Sequence, residues 1–262
     1  IKKLPIITKE MLRENMKDVR TIDLHHAIEG HTGGTTGKSL IVYFTKEDLQ
    51  KRMAYLDNFR EMHGAKHRMR RATFSGKNII PSKDENKNIF WRDNIFLKQR
   101  LYSTFHLSER NLKYYIENLN NFKPQIIDGF FSSVYELAKY INDNSIKLNF
   151  KPIVFFPTSE TVIKYQKDII KEVFKCQVRD QYASSEGAPF ITECKKGRLH
   201  YNMDTGVIET IDNNIEGEIL VTRFATHGTP LIRYRIGYVR KVSNEKGDCG
   251  SAHPVVERIN GR

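Results

Sequence analysis

Pro152-Ile153-Val154-Phe155-Phe156 is apolar throughout. A short, unbroken apolar run of this kind reads as a strand buried on both faces, the sort found in parallel sheets. The chain on either side fits that reading. Upstream, Ser108 to Leu119 has helical character, and Gln125-Ile126-Ile127 is a short apolar strand. Ser133-x-x-Glu136 has the form of a capping box and predicts the start of a helix that runs to about Ile141. Downstream, Val162, Ile163, Ile169, Ile170, Val173 and Phe174 recur at helical spacing, and Lys175 to Asp180 suggests another strand. Strand and helix thus alternate, which predicts an α/β fold with a mostly parallel sheet covered by helices.

The opening stretch, Leu4-Pro5-Ile6-Ile7-Thr8-Lys9-Glu10, reads as an extended segment entering a helix with Thr8 as N-cap. Leu40 to Phe44 is a β-prone run, and Thr45 with Asp48 three residues on approximates a capping box for the next helix. Beyond Asn202 the rhythm changes. Gly206 to Ile211, Gly217 to Phe224 and Pro230 to Val242 are β-rich runs separated by Asn, Asp, Gly and Pro turns, so a mainly antiparallel, barrel-like module is expected there. The expected organisation is an α/β region over residues 1–201 and a β-rich subdomain over residues 202–262.

The 262 residues carry 43 basic and 31 acidic side chains, a net charge of +12, and are 39% hydrophobic. That composition fills a core and excludes collagen-like, disordered and disulfide-stapled classes. The positive excess favours anionic partners, yet the basic residues form no single tract; the densest run, Lys66 to Arg71, reads as a solvated face. Three cysteines, Cys176, Cys194 and Cys249, fit a reducing cytoplasm. No apolar stretch reaches the roughly 18 residues of a transmembrane helix, and no signal peptide opens the chain. A chain that begins at Ile1 and ends at Arg262 is expected to be a piece of a longer protein.

Three segments carry candidate chemistry. His31-Thr32-Gly33-Gly34-Thr35-Thr36-Gly37-Lys38-Ser39 combines glycines, hydroxyls and a lysine, which suits close contact with phosphate oxygens. It is not a Walker A loop, because Thr32 stands where that pattern needs glycine and a strand-like segment follows instead of a helix. A surface loop remains the other reading. Tyr182-Ala183-Ser184-Ser185-Glu186-Gly187 places an aromatic ring, hydroxyls and one carboxylate after a strand, where they would suit a nucleotide and its metal, or form a plain turn. Gly217 to Thr222, leading into Pro230-Leu231-Ile232-Arg233-Tyr234-Arg235-Ile236-Gly237, reads by itself as structural strands.

In this order and at these separations, the segments resemble the signature motifs of the adenylate-forming superfamily, which includes acyl-coenzyme A synthetases, luciferases and peptide-synthetase adenylation domains. Leu4 to Glu10, Gly129 to Ala138 and Pro157-Thr158-Ser159-Glu160 resemble the phenylacetate–coenzyme A ligase family, in particular its capsular-polysaccharide-biosynthesis branch. The resemblance spans nearly the whole chain and implies the large N-terminal domain of such an enzyme. It implies that ATP and Mg²⁺ activate a carboxylic acid as an acyl-adenylate, with coenzyme A or another acceptor taking the acyl group. Thr32, Gly33, Thr35, Thr36, Gly37 and Lys38 would embrace the triphosphate, with Thr35 and Glu186 as catalytic groups. Tyr182 would flank adenine with Ala183 and Ser184 beside it, Ser185 would lie near the α-phosphate, and Glu186 would ligate Mg²⁺. Ser159 would belong to the nucleotide site, and Arg262 would approach the ribose.

Two departures stand out. Tyr238 occupies the position of the family's ribose-binding aspartate, and a phenol cannot accept both ribose hydroxyls as a carboxylate does. The small domain that carries the family's catalytic lysine is expected just after Arg262, and a short segment is expected before Ile1. Some relatives hold a structural zinc with Cys-x5-His and a later Cys-x-Cys; Cys194, His200 and Cys249 match, while Gly247 stands where the other cysteine would be. Asp248, His253 or water could complete that tetrahedron, and unliganded thiols beside a packed histidine are the alternative. Three functions stay open: a ligase, a degenerate nucleotide-binding module of the same fold, and a basic nucleic-acid binder. Trp91, Phe130, Phe131 and Phe190 are candidates for the acid pocket and equally for the core.

Overall fold

The computed structural model describes residues 2–32, 39–211, 216–243 and 248–260. In chain order the elements are α1 (Lys9–Glu14), α2 (Met16–Val19), β1 (Ile28–His31), β2 (Ile41–Phe44), α3 (Lys46–Met62), β3 (Arg71–Ser75), α4 (Ser82–Glu85), β4 (Trp91–Asn94) and β5 (Gln99–Ser103). There follow α5 (Glu109–Phe122), β6 (Ile126–Phe130), α6 (Phe131–Asp143), β7 (Val154–Thr158), α7 (Lys164–Phe174), β8 (Gln177–Val178), β9 (Gln181–Tyr182), β10 (Ile191–Glu193) and β11 (Leu199–Tyr201). The last strands are β12 (Gly206–Thr210), β13 (Glu216–Arg223), β14 (Tyr234–Ser243) and β15 (Val255–Asn260). None of the described helices is long and apolar enough to cross a membrane.

The chain divides into two compact units, residues 60–180 and residues 1–59 together with 181–262. The division expected at Asn202 does not coincide with them. The β-rich unit already begins at Gln181, because β9, β10 and β11 belong to the same seven-stranded sheet as β12 to β15. The N-terminal residues join that unit because Leu12, Leu40, Val42 and Phe44 share one buried cluster with Ile219, Val221, Leu231 and Tyr234.

The unit of residues 60–180 is the α/β part. Its six-stranded sheet has the order β4-β5-β3-β6-β7-β8. All pairings from β5 to β8 are parallel, and β4 runs antiparallel along one edge. Ile126, Ile127, Val154, Phe155 and Phe156 are fully buried, as their unbroken apolar runs require of strands covered on both faces. Leu112, Tyr115, Ile116 and Leu119 of α5, Val134, Leu137 and Ile141 of α6, and Ile170 and Phe174 of α7 complete this core. Ser133 does not cap α6. The helix begins two residues earlier, at Phe131, and its first turn is instead held by Glu160, whose carboxylate accepts from Ser132 N–H at 2.7 Å and Ser132 Oγ at 2.8 Å. A carboxylate from a distant loop supplies both acceptor oxygens and favourable charge at a helix N-terminus, which a local serine cannot match.

The other unit is built on the seven-stranded, wholly antiparallel sheet β12-β13-β14-β15-β11-β10-β9, with a separate β1-β2 hairpin. Thr8 Oγ1 accepts from Met11 N–H at 3.2 Å and caps α1 as expected. Thr45 and Asp48 close a reciprocal capping box on α3: Thr45 N–H donates to Asp48 Oδ2 at 3.0 Å, and Asp48 N–H donates to Thr45 Oγ1 at 3.0 Å.

Candidate functional site

The described candidate nucleotide residues of the second unit fall in two places. The first is Thr32, directly after β1. Thr32 N–H donates to Leu40 O at 3.0 Å, Leu40 N–H donates to Thr32 Oγ1 at 2.9 Å, and Ser39 Oγ donates to Thr32 O at 2.7 Å. Thr32, only 5% exposed, thereby ties the two ends of the glycine-rich stretch together. Its hydroxyl also accepts from Lys9 Nζ at 3.1 Å. Lys9 adds a cation beside this stretch, and sequence reading missed it because α1 and the hairpin come together only in space. Gly33, Thr35, Thr36, Gly37, Lys38 and Arg262 lie outside the described residues.

The second is the turn that follows β9. Tyr182 pairs with Ile191 of β10, which fixes the entry to the Ala183–Gly187 turn. Ser184 is buried, and its Oγ accepts from Gly187 N–H at 3.1 Å and Ala188 N–H at 2.9 Å. Its hydroxyl is therefore spent on shaping the turn. Gly187 sits at φ 100°, and a Cβ there would meet the Arg223 guanidinium, so glycine is required both by conformation and by space. The turn leaves Ala183 and Ser185 exposed and Glu186 half-buried. No ion pair or hydrogen bond engages the Glu186 carboxylate among the described residues, which suits a group meant for a cation.

Ser159 follows β7 in the α/β unit, with φ 65°, next to the Glu160 that holds α6. Trp91 packs against the core of that unit, and Phe131 is buried within it. In the β-rich unit Phe190 is 4% exposed and lies 6.3 Å, centroid to centroid, from Tyr55. Tyr238 lies on β14 next to Val239, which pairs with Asn260.

The cysteines and histidine behave differently. The β10-β11 hairpin places Cys194 directly after β10, and Cys194 N–H donates to Arg198 O at 2.8 Å. His200 lies opposite Thr192 on β11. Cys249 arrives from the segment before β15. The ligand atoms of Cys194, His200 and Cys249 all lie within 4.8 Å of one another, and Cys249 Sγ is 3.2 Å from His200 Nε2. His200 Nδ1 lies 2.9 Å from His253 O, the contact that leaves Nε2 as the lone-pair nitrogen facing the sulfurs. This donor set fits zinc. Neither expected substitute joins it. Asp248 pairs with Lys196 at 3.5 Å and Arg198 at 3.7 Å, and His253 Nδ1 accepts from Met203 N–H at 3.4 Å. With zinc bound, water would be left to complete the tetrahedron.

No family model matches the chain. Protein CapK of Staphylococcus aureus is 45% identical to it over 247 residues, 94% of this chain and 55% of that protein. Indoleacetate–lysine synthetase of Pseudomonas savastanoi is 32% identical over 142 residues, 52% of this chain and 34% of that enzyme. The chain thus spans about half the length of the first relative and a third of the second. Among solved structures, 2-hydroxyisobutyryl-CoA ligase in complex with 2-HIB-AMP and CoA in the thioesterification state matches with a TM-score of 0.77 at 17% identity, over 99% of this chain and 58% of that one. At such low identity this likeness establishes the fold.

Proposed function

We propose that this chain belongs to the CapK-like branch of the adenylate-forming superfamily, a reading its 45% identity to protein CapK supports, and that it is part of a ligase that activates a carboxylic acid as an acyl-adenylate and passes the acyl group to coenzyme A or another acceptor. The observation that carries this reading is the Tyr182–Gly187 turn. Ser184 and Gly187 hold its backbone rigidly, while Ser185 and Glu186 are left unengaged among the described residues. Rigid support behind unengaged polar groups is what a site needs to bind charge without reorganising.

In the proposed reaction an oxygen of the substrate carboxylate attacks the α-phosphorus of ATP. The bond from that phosphorus to the bridging oxygen breaks, and pyrophosphate leaves with the electron pair. Mg²⁺, when bound, would neutralise charge on the phosphates. Glu186 would hold it, Ser185 would donate to the α-phosphate, and Tyr182 would flank the adenine. Thr35, Thr36 and Lys38, with Gly33 and Gly37, would line the β- and γ-phosphates, and Lys9 would add charge at the base of that stretch. Ser159 and Arg262 would contribute contacts to the nucleotide. Nucleophilic attack on the acyl carbon by the acceptor then expels AMP. The lysine-bearing small domain expected after Arg262 would complete the electrostatic clamp. Zinc would cross-link the β10-β11 hairpin to the segment before β15 and stabilise the unit.

Tyr238 favours a second reading, a nucleotide-binding module without ligase activity, because the ribose loses a charged acceptor. Pyrophosphate exchange by the full-length protein against a library of carboxylic acids separates the two. Acid-dependent exchange is the expected result. ATP binding without exchange for any acid would leave only the second reading.

A further inference from the structure

Arg52 and Arg223 meet the same turn from two different elements. Arg52, on α3, donates from Nη2 to Ser184 O at 3.2 Å. Arg223, the last residue of β13, brings its guanidinium against Gly187 at the other end of that turn. Arg223 is only 7% exposed. Three buried guanidinium nitrogens, Nη1 of Arg52 and Nε and Nη1 of Arg223, meet no acceptor among the described residues. Neither arginine forms a close ion pair among the described residues, although the Asp48 charge acts on both from farther away. The nearby buried carboxylate, Asp48, is committed elsewhere: its oxygens accept from Thr45 N–H and Gly228 N–H, and one lies 2.6 Å from His227 Nδ1.

Two cations held together in a buried place are costly without an anion. Burial, followed by the charge of Arg52, pushes Arg223 down to about 9, and burial pushes Arg52 down to about 10. Two guanidinium charges against the single buried carboxylate of Asp48 leave one positive charge over. Aromatic rings frame the place as well, since the Arg52 guanidinium stacks 5.4 Å from the Phe44 centroid and 5.5 Å from that of Phe190.

We propose that Arg52 and Arg223 form a carboxylate-binding site behind the Tyr182–Gly187 turn, which takes the carboxylate of a small organic acid. A planar guanidinium fork matches the two oxygens of a carboxylate, and one negative charge balances the surplus. The carboxylate could belong to a free acid or be the second carboxylate of a dicarboxylic acid undergoing activation. The second case alone rests on the ligase reading above.

The test uses the full-length protein without nucleotide, titrated with acetate and with benzoate against phosphate and sulfate at matched ionic strength, followed by calorimetry and thermal unfolding. Both carboxylates should bind and raise Tm. Arg223→Met and Arg52→Met should each weaken carboxylate binding by about tenfold or more. In the ligand-free protein Arg223→Met should leave Tm unchanged or higher, because an uncompensated buried charge is removed. The proposal is overturned if the wild type ignores both carboxylates, if phosphate and sulfate bind as well as they do, or if both variants bind as tightly as wild type. It is also overturned if ligand-free Arg223→Met loses Tm while carboxylate binding persists, since that marks a packing role. Should Arg223→Met fail to fold, Arg52→Met on its separate element decides. Pyrophosphate exchange with mono- and dicarboxylic acids of equal length then assigns the source: a rise in KM confined to dicarboxylic acids marks the substrate's second carboxylate, and no such rise marks a free acid. Loss of all exchange with carboxylate binding intact would defeat the ligase reading and leave this site standing.

Discussion

Nε2 of His200 lies 3.2 Å from Sγ of Cys249, although 49 positions separate them in the chain. The other ring nitrogen faces a backbone carbonyl, so the imidazole is already oriented as a metal ligand. The purified protein should carry about one zinc per chain. Chelation should lower Tm by about 5 °C or more, and Cys194→Ser should do the same while releasing the metal. Metal-free protein that is indifferent to both treatments would show that the three side chains simply pack together.

Glu186→Gln keeps the shape of the side chain and removes its charge. In the full-length protein it should lower pyrophosphate exchange by about 10²–10³ and leave Tm unchanged. Exchange within about a factor of two of wild type would remove Glu186 from the metal site.

Asp48 is fully buried, and its carboxyl is held below the usual carboxylate range. Burial pushes it up, but hydrogen bonds from the backbone and side chain of both Thr45 and His227 together outweigh burial. A carboxyl depressed in the folded state stabilises the fold at neutral pH. That contribution is present above the unfolded value, about pH 4, and is lost as pH falls through the lower folded value. Asp48→Asn should therefore cost about 2 kcal/mol at pH 7, with the gap to wild type shrinking below about pH 4. Urea unfolding across that range checks it, and a gap independent of pH would contradict the assignment.

Gly187→Ala should destabilise the β-rich unit by about 1–3 kcal/mol, since alanine must adopt a positive φ and its methyl must displace the Arg223 guanidinium. Chemical denaturation measures this. Unchanged stability would mean that the turn has room and freedom that its geometry denies.

Much of this arrangement was legible in the amino-acid order wherever a few adjacent residues decide the outcome. The unbroken apolar run through Val154, Phe155 and Phe156 announced a buried parallel strand because only a strand covered on both faces is apolar throughout. Thr8, and the Thr45–Asp48 pair, announced helix starts because caps bond within three residues. The order of the glycine-rich, Tyr182–Gly187 and Pro230–Gly237 segments pointed to the family. The short strands β3, β4 and β5 escaped notice, as four or five residues of mixed polarity carry little periodic signal.

Contacts across long separations were decided by the tertiary structure alone. Ser133 looked like a cap until Glu160, twenty-eight positions beyond Ser132, proved to hold the start of α6. Nothing local tells one hydroxyl that a distant carboxylate binds better. The domain boundary moved for the same kind of reason: β9, β10 and β11 follow the α/β segment in the chain, yet their hydrogen bonds join them to the antiparallel sheet. Lys9 beside Thr32, and Arg52 and Arg223 on one turn, are likewise products of packing. Sequence determined which segments could bind charge, because backbone freedom and residue type are local properties. Packing determined which charges remain unsatisfied, because the partner of a buried cation is set by what folding brings within hydrogen-bond reach.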